Sequence, residues 1–284
     1  MPFGKTWAWA SGPSSGCYYY VEELYALLKE AGIESRICNV YYSGGLLSQH
    51  YNWWKNDLSN YQFYITDANG RRRGHPNHET VSLEYCLAYA NWDVITLQES
   101  GTGKLRTVDV QTFLSERKVY LDTLYGYLGQ EFPQAELMWQ ENGAYQVGYD
   151  KSFQVNSLAD QISDTQNFRK LAQAIGEEYN IRWIPRGEGS LNFRQYSGLP
   201  DTLTARLGIG TNHSGDLYHD GDIGGGQLLT ACVWFESLTG LNCLESEYVP
   251  VYTYGGQEYT LSEELVSAVR TAAHKAVQEW FITQ

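Results

Sequence analysis

Short apolar runs alternate along the chain with longer segments whose apolar residues recur at helical spacing. Val94-Ile95-Thr96-Leu97 is a run typical of a buried strand, whereas Val21, Leu24 and Leu28, ended by Gly32, predict an amphipathic helix. The predicted strands are 6–10, 35–41, 94–97, 136–139 and 182–184, and the predicted helices lie near 19–31, 80–90, 108–130, 157–179, 224–239 and 261–281. This alternation predicts an α/β fold, a three-layer α/β/α arrangement around a mostly parallel sheet.

Two segments look like additions to this core. The turn Asp67-Ala68-Asn69-Gly70 separates 61–66 from 71–73 and predicts a β-hairpin beside the sheet. A second hairpin is predicted around Gly255-Gly256, between 249–254 and 258–260. With 284 residues the chain is long enough for one large domain, so we expect a single domain over 1–284, with a hairpin insertion at about 61–75 and a C-terminal hairpin and helix at about 244–284.

The most specific chemical pattern is Asp216-x-x-His219, together with the turn Gly12-Pro13-Ser14-Ser15-Gly16. An acid three residues before a histidine can accept the Nδ1 proton of its ring, which leaves Nε2 as a general base. Ser14 follows the first predicted strand and precedes a predicted helix, whose amides would favour a developing oxyanion. These residues suggest a serine hydrolase.

Polar or flexible residues follow several predicted strands at the point where each strand ends. Ser14, Gly44, Gln98 and Gln140 all occupy such positions. Ligands of parallel sheets bind beyond the carboxyl ends of the strands, so we expect these residues to meet at one edge. The loops expected to shape this edge are 44–60, 100–108, 140–156 and 186–223.

The order Ser14, Gly44, Gln98 and then Asp216-x-x-His219 resembles the block pattern of the SGNH (GDSL-type) hydrolases. The resemblance is to a branch with Gln where most members carry Asn. Further segments that resemble this branch, within about residues 5 to 243, are Tyr41-Tyr42-Ser43-Gly44-Gly45, Leu47-Ser48-Gln49-His50, Trp92-Asp93-Val94-Ile95-Thr96-Leu97-Gln98 and Cys232-Val233-Trp234-Phe235-Glu236-Ser237-Leu238-Thr239-Gly240. The resemblance implies a flavodoxin-like sheet and a triad of Ser14, His219 and Asp216. It also implies an oxyanion hole formed by Ser14, Gly44 and Gln98.

The first block departs from the family pattern. Members usually carry Gly-Asp-Ser or Gly-Asn-Ser after an aliphatic strand, whereas here Gly12-Pro13-Ser14 follows Trp7-Ala8-Trp9-Ala10. Counting back from the end of the first helix places the nucleophile on Ser14. Counting forward from Lys5 places Gly12 there, so Ser11, Ser15 or a disabled site stay open as alternatives.

Aromatic residues suggest the substrate class. The chain has 23 Tyr and 9 Trp, and flat rings flanked by polar groups suit the C–H faces and hydroxyl edges of sugars. The candidate substrate-binding residues are His50, Trp53, Gln140 and Tyr145. The expected reaction is hydrolysis of an acyl ester, with an acylated carbohydrate or a similar small molecule as substrate. The alternatives are a carbohydrate-binding protein without catalysis and an enzyme of this fold acting on another ester.

Charge and motifs exclude other classes. A net charge of -13 disfavours nucleic acid and anionic membranes as partners. His75-Pro76-Asn77-His78-Glu79 is read as a solvated loop rather than a metal site, and no cofactor motif is present, so we expect neither metal nor cofactor. Residues 1–10 have no secretory signal pattern, which fits a cytoplasmic chain or a mature form after leader removal.

Overall fold

The computed structural model of the protein describes residues 5–8, 20–42, 44–99, 109–148, 155–199, 225–254 and 256–282. The strands are β1 Lys5–Ala8, β2 Ser35–Tyr41, β3 Gln62–Asp67, β4 Gly70–Arg73, β5 Val94–Leu97, β6 Glu136–Gln140, β7 Arg182–Ile184, β8 Val251–Tyr254 and β9 Gln257–Thr260. The helices are α1 Tyr20–Glu30, α2 Leu47–Lys55, α3 Leu83–Leu87, α4 Val110–Glu131, α5 Leu158–Tyr179, α6 Arg186–Tyr196, α7 Gly225–Thr239 and α8 Glu263–Ile282, with a short 3₁₀ helix at Cys243–Glu245.

Seven strands form the main sheet, in the order β4-β3-β2-β1-β5-β6-β7. β1 runs parallel to both β2 and β5, and β5 runs parallel to β6. Without the hairpin, the order β2-β1-β5-β6-β7 is the 2-1-3-4-5 order of flavodoxin-like folds. The predicted α/β class with a mostly parallel, flavodoxin-like sheet is therefore confirmed.

The central strands are apolar because both of their faces are covered. All four residues of β5 are buried, and six of the seven residues of β2 are buried. Continuous burial of β-branched and other apolar side chains is typical of strands inside a parallel sheet. The predicted bounds 35–41 and 94–97 match those of β2 and β5.

The predicted hairpin at 61–73 is present, and it extends the sheet. β3 pairs antiparallel with β2, and β4 pairs antiparallel with β3. In the turn, the Asn69 amide donates to Asp67 Oδ1 at 2.9 Å, and Gly70 has a φ of 80° that disfavours other residues. The hairpin thus contributes two antiparallel strands to one end of the sheet.

The last strand of this hairpin carries three consecutive arginines. Arg72 donates to both carboxylate oxygens of Asp67, at 2.7 and 2.8 Å. The guanidinium groups of Arg71 and Arg73 lie over the Tyr64 ring, at 4.6 and 4.5 Å from its centroid. Each cation of β4 is therefore held by a partner on β3.

Two helices occupy segments that the sequence predicts as loops. α2 lies within 44–60, and α6 lies within 186–223. α2 begins where the Gln49 side chain accepts the Leu46 amide at 2.9 Å, and α6 contains Gly187 and Gly189, which disfavour helix. Tertiary packing overrides that propensity, because residues 186–193 are all buried. The loop prediction was wrong for these two segments.

The chain divides into two compact units. One comprises 1–18, 32–140 and 170–183, and the other comprises 19–31, 141–169 and 184–284. In the second unit α1 packs on α7, and α8 packs on both α6 and α7. The second predicted hairpin is present, formed by β8 and β9. The expectation that the whole chain forms a single domain stays a prediction. Within the described ranges, no helix combines the length and apolar character that crossing a membrane requires.

Candidate active site

The parallel strands bring three predicted site residues to one edge of the sheet. Gly44 follows β2, Gln98 follows β5 directly, and Gln140 is the last residue of β6. Ser14 comes six residues after the end of β1 at Ala8, and it lies outside the described residues. Asp216 and His219 also lie outside them. The description of the site therefore rests on Gly44, Gln98 and Gln140, of which the first two are predicted to belong to an oxyanion hole.

Gln98 and Gln140 form a buried amide pair. Gln140 Nε2 donates to Gln98 Oε1 at 2.7 Å, and both side chains are nearly inaccessible to solvent. This hydrogen bond uses the carbonyl oxygen of Gln98 and leaves its NH₂ group as the donating end. Such a fixed NH₂ group can donate to an oxyanion without first reorienting. Both residues stand out in the sequence, whereas the contact between them does not.

A buried ion pair absent from the sequence-based predictions begins at Glu99, directly after Gln98. Arg117 Nε on α4 donates to Glu99 Oε2 at 3.1 Å, and both side chains are largely buried. The Arg117 guanidinium lies 3.5 Å from the centroid of the Phe113 ring. A buried carboxylate needs a partner, so the position of Glu99 just after a buried strand is the feature of the sequence that indicates an ion pair here. The pair ties the chain after β5 to α4.

The turn after β2 needs two glycines for different reasons. Gly44 has a φ of 72°, in the left-handed region that side chains disfavour. Gly45 is buried, its amide donates to the Tyr42 carbonyl at 3.4 Å, and a Cβ atom on it would lie 2.6 Å from His50 Nε2. The close approach of His50 therefore fixes this turn from one side.

His50 is fully buried in α2. Its Nδ1 atom and the Tyr61 hydroxyl lie 2.7 Å apart, and the two rings are stacked at an interplanar angle of 7°. Burial lowers the pKa of His50 to about 3, so the ring is neutral at physiological pH. His50 thus contacts the Gly44-Gly45 turn as a neutral ring, and its role as a substrate contact stays a prediction.

Trp53 completes this aromatic cluster. Its ring contacts Tyr42 edge-on, with centroids 4.4 Å apart, and it also meets the rings of His50 and Tyr61 edge-on. Only 9% of Trp53 is exposed. Edge-to-face packing of this kind stabilises the first unit around the turn. Direct contact between Trp53 and a substrate stays untested.

Tyr145 belongs to the second unit. It is buried beside Val155, and its carbonyl accepts a hydrogen bond from Gln161 Nε2 at 2.9 Å. This contact joins the segment after β6 to α5. A substrate-binding role for Tyr145 also stays a prediction.

No group of three or more His, Cys, Asp or Glu side chains is placed to hold a metal ion among the described residues. His75 and His78 belong to the stretch between β4 and α3, where His78 has a positive φ of 59° and its amide donates to the His75 carbonyl. The two histidines therefore belong to a turn rather than to one helical face.

Comparison with known proteins identifies similar folds but no family model. No family model and no curated protein sequence matches the chain significantly. The chain is similar to the crystal structure of a DUF4886 family protein from Bacteroides uniformis, with a TM-score of 0.74 and 22% sequence identity. The match covers 97% of this chain and 95% of that protein. The chain has this fold. At such identity the similarity establishes the fold alone, and the α/β/α class predicted from the sequence is confirmed.

Other similar structures carry hydrolase names. One is a GDSL-like lipase from Parabacteroides merdae, described as putative, with 19% identity, coverage of 83% of this chain and 95% of its own, and a TM-score of 0.46. Another is a variant of an acetyl-xylooligosaccharide esterase from Geobacillus stearothermophilus, with 13% identity, coverage of 69% and 83%, and a TM-score of 0.40. The chain is similar to these proteins, and TM-scores this low carry no argument on its family or its activity.

Proposed function

We propose that the protein is a serine ester hydrolase of the SGNH type that removes acyl groups, acetyl in particular, from a carbohydrate or a similar small substrate. The observation that carries the proposal is the amide pair of Gln98 and Gln140. It lies at the carboxyl end of β5, which pairs with β1, the strand that leads to Ser14. β1 and β5 flank the point where strand order reverses, which is where open α/β sheets bind ligands.

In the proposed reaction, Ser14 Oγ attacks the acyl carbonyl carbon while His219 Nε2 takes the hydroxyl proton. The tetrahedral intermediate collapses, the C–O bond to the sugar breaks, and His219 returns the proton to the leaving alkoxide. Water then attacks the acyl-enzyme with His219 as base, which releases the carboxylic acid and restores Ser14. Asp216 accepts from Nδ1 and stabilises the imidazolium.

Three donors would stabilise the oxyanion: the Ser14 amide, the Gly44 amide and the Gln98 NH₂ group. The described contacts support the last two. Gly44 has the left-handed backbone that a turn presenting its amide requires, and Gln140 holds the Gln98 amide in one orientation. Donors fixed before substrate arrives need no reorganisation during the reaction, so each is worth about 10²-fold in turnover.

The carbohydrate part of the proposal is supported by composition. The chain has 23 Tyr and 9 Trp, together with a net charge of -13 that favours a neutral or cationic substrate. Sugar rings bind to aromatic faces through their C–H groups and to amides through their hydroxyls. A panel of acetylated sugars compared with longer acyl esters measures this preference.

The nucleophile is tested by hydrolysis of p-nitrophenyl acetate and by a fluorophosphonate probe. We expect one covalent adduct on the peptide carrying residues 6–28. Ser14→Ala should abolish both labelling and turnover, whereas Ser11→Ala and Ser15→Ala should retain them, since only Ser14 carries the attacking oxygen.

Labelling that survives Ser14→Ala and disappears in Ser15→Ala would move the nucleophile by one position. No labelling and no hydrolysis in the folded wild-type protein would overturn the esterase proposal. If that protein also binds an oligosaccharide, the carbohydrate-binding alternative takes its place.

A further inference from the structure

A groove in the second unit lies between α6 and α8, and its described lining includes none of the residues assigned to catalysis in the sequence. Its volume is about 280 Å³, just below the usual range for small-molecule pockets. One wall is a stripe along α8 from Glu264 to Lys275, and the other is the end of α6 with Asn192 and Tyr196. The twelve helical residues of this stripe give it a length of about 16 Å.

Asn192 is the residue that marks this groove as a binding site. It is 4% exposed, lines the groove, and its Nδ2 atom has no hydrogen-bond partner among the described residues. A buried amide NH₂ group without an acceptor is costly, so native structures rarely keep one without a reason. An oxygen atom of a ligand would supply the missing acceptor.

The charges of the groove favour a neutral ligand. Lys275 Nζ lies 3.3 Å from the centroid of the Tyr196 ring and 3.7 Å from Glu279 Oε1, so its charge is already balanced within the protein. Glu264 lines the groove at the other end of the α8 stripe and accepts hydrogen bonds only. A ligand with hydroxyl groups can donate to this carboxylate and accept from Asn192.

The remaining wall is apolar or carries hydroxyl groups. Ala268 and Ala272 leave room on α8, and Thr271 Oγ1 donates to the Ser267 carbonyl, which leaves its oxygen able to accept. Tyr196 is 64% exposed at the end of the groove. Small apolar surfaces with an exposed aromatic ring suit the C–H faces of a sugar, and hydroxyl acceptors suit its edge.

We infer that the groove between α6 and α8 binds one or two neutral sugar rings, with Asn192 donating to a sugar oxygen. The inference shares the carbohydrate class of the proposed substrate and rests on the proposed function only for that choice. It uses none of the proposed catalytic residues. The groove would therefore act as a second carbohydrate site that retains the protein on a glycan.

The test is titration of the ¹⁵N-labelled protein with cellobiose and maltose at millimolar concentration, followed through the side-chain amide signals. The Asn192 signal pair is identified by its absence from the spectrum of Asn192→Leu. We expect it to shift on titration in the wild type. Asn192→Leu keeps the shape and removes the donor, so it should weaken binding at least 10-fold with an equal or higher thermal midpoint.

Asn52→Leu is the matched control, since Asn52 is exposed and lies outside the groove, and it should bind as the wild type does. Tyr196→Ala changes an exposed side chain and should also weaken binding. Equal binding by Asn192→Leu, or a shift of the Asn192 signals by acetate but by neither disaccharide, would overturn the inference. Hydrolysis of p-nitrophenyl acetate should be unchanged in Asn192→Leu. The titration therefore tests the groove, and the hydrolysis assay tests the esterase proposal independently of it.

Discussion

At the scale of single residues, the candidate site depends on which end of an amide faces the reaction. Gln98 and Gln140 are both buried, and one hydrogen bond between them fixes the orientation of Gln98. A carbonyl oxygen turned toward a developing oxyanion would repel it, whereas the NH₂ group attracts it. On the proposed function, Gln140 is thus a positioning residue that acts through Gln98.

Gln140→Leu should lower kcat about 10-fold with KM nearly unchanged, because the Gln98 amide loses the donor that fixes it but keeps its own NH₂ group. Gln98→Leu should lower kcat about 10²-fold, because the proposed oxyanion donor itself is lost. Gln173→Leu on α5 is the control, since Gln173 is exposed and bonds only to Glu177 among the contacts described. Steady-state kinetics with p-nitrophenyl acetate measure all three, and equal losses for Gln140→Leu and Gln173→Leu would contradict the positioning role.

Sequence reasoning reaches these residues but not their partners. Gln98 stands out because it ends an apolar run, and Gly44 because it lies in a Ser-Gly-Gly turn. Arg117 and Tyr61 do not stand out, since the sequence separations of 18 and 11 residues to Glu99 and His50 are closed only by the fold. Contacts of that kind depend on helix rotation and packing, which local pattern does not specify.

At the scale of elements, α6 shows how a helix forms where propensity opposes it. The Glu188 amide in its first turn donates to Glu141 Oε2 at 3.2 Å, so a side chain from the β6 end serves as its cap. Gly187 allows this approach, because a Cβ atom on it would lie 2.2 Å from the Asn142 carbonyl oxygen. From the sequence alone, the two glycines of α6 disfavour a helix, whereas in the structure Gly187 is needed for α6 to pack against Asn142.

Gly187→Ala should lower the free energy of unfolding by about 1–3 kcal/mol, because the added methyl group meets backbone that cannot move away easily. Gly126→Ala in α4 is the matched control: nothing lies within 4 Å of its Cβ position, so it should raise stability by about 0.5–1 kcal/mol. Denaturation by urea measures both. Equal stability of the two variants would contradict the prediction, because it would mean that the segment after β6 shifts to accommodate the methyl group at little cost.

At the scale of the whole molecule, an acidic protein with a net charge of -13 also buries some of its carboxyl groups. Burial raises the pKa of Glu23 to about 7, although the Tyr248 hydroxyl donates to it at 2.5 Å. Burial and the neighbouring Glu188 charge raise the pKa of Glu141 well above its ordinary value. The native state therefore holds protons that the unfolded chain releases near pH 4.5.

The free energy of unfolding should accordingly fall as pH rises from 5 to 8. A group with a raised native pKa contributes its full stability below the unfolded pKa and loses it as pH rises through the native value, here about 7 for Glu23. Glu23→Gln removes this proton exchange and keeps the acceptor for Tyr248, so the fall should become smaller by about 2–3 kcal/mol. Glu22→Gln, at the exposed neighbouring position, should reduce the fall only slightly, because the Glu22 charge is the smaller of the two causes that raise the Glu23 pKa; denaturation at the two pH values measures both variants.

The arginine-bearing strand β4 also bears on how copies of the protein behave at high concentration. It is the terminal strand of the main sheet, and such strands carry backbone groups that a second chain can pair with. Asp67 balances the charge of Arg72, but Arg71 and Arg73 place two positive charges over the Tyr64 ring, so a second copy docking edge to edge would bring these like charges together. The hairpin that lengthens the sheet thus also discourages self-association and fibre formation through that edge.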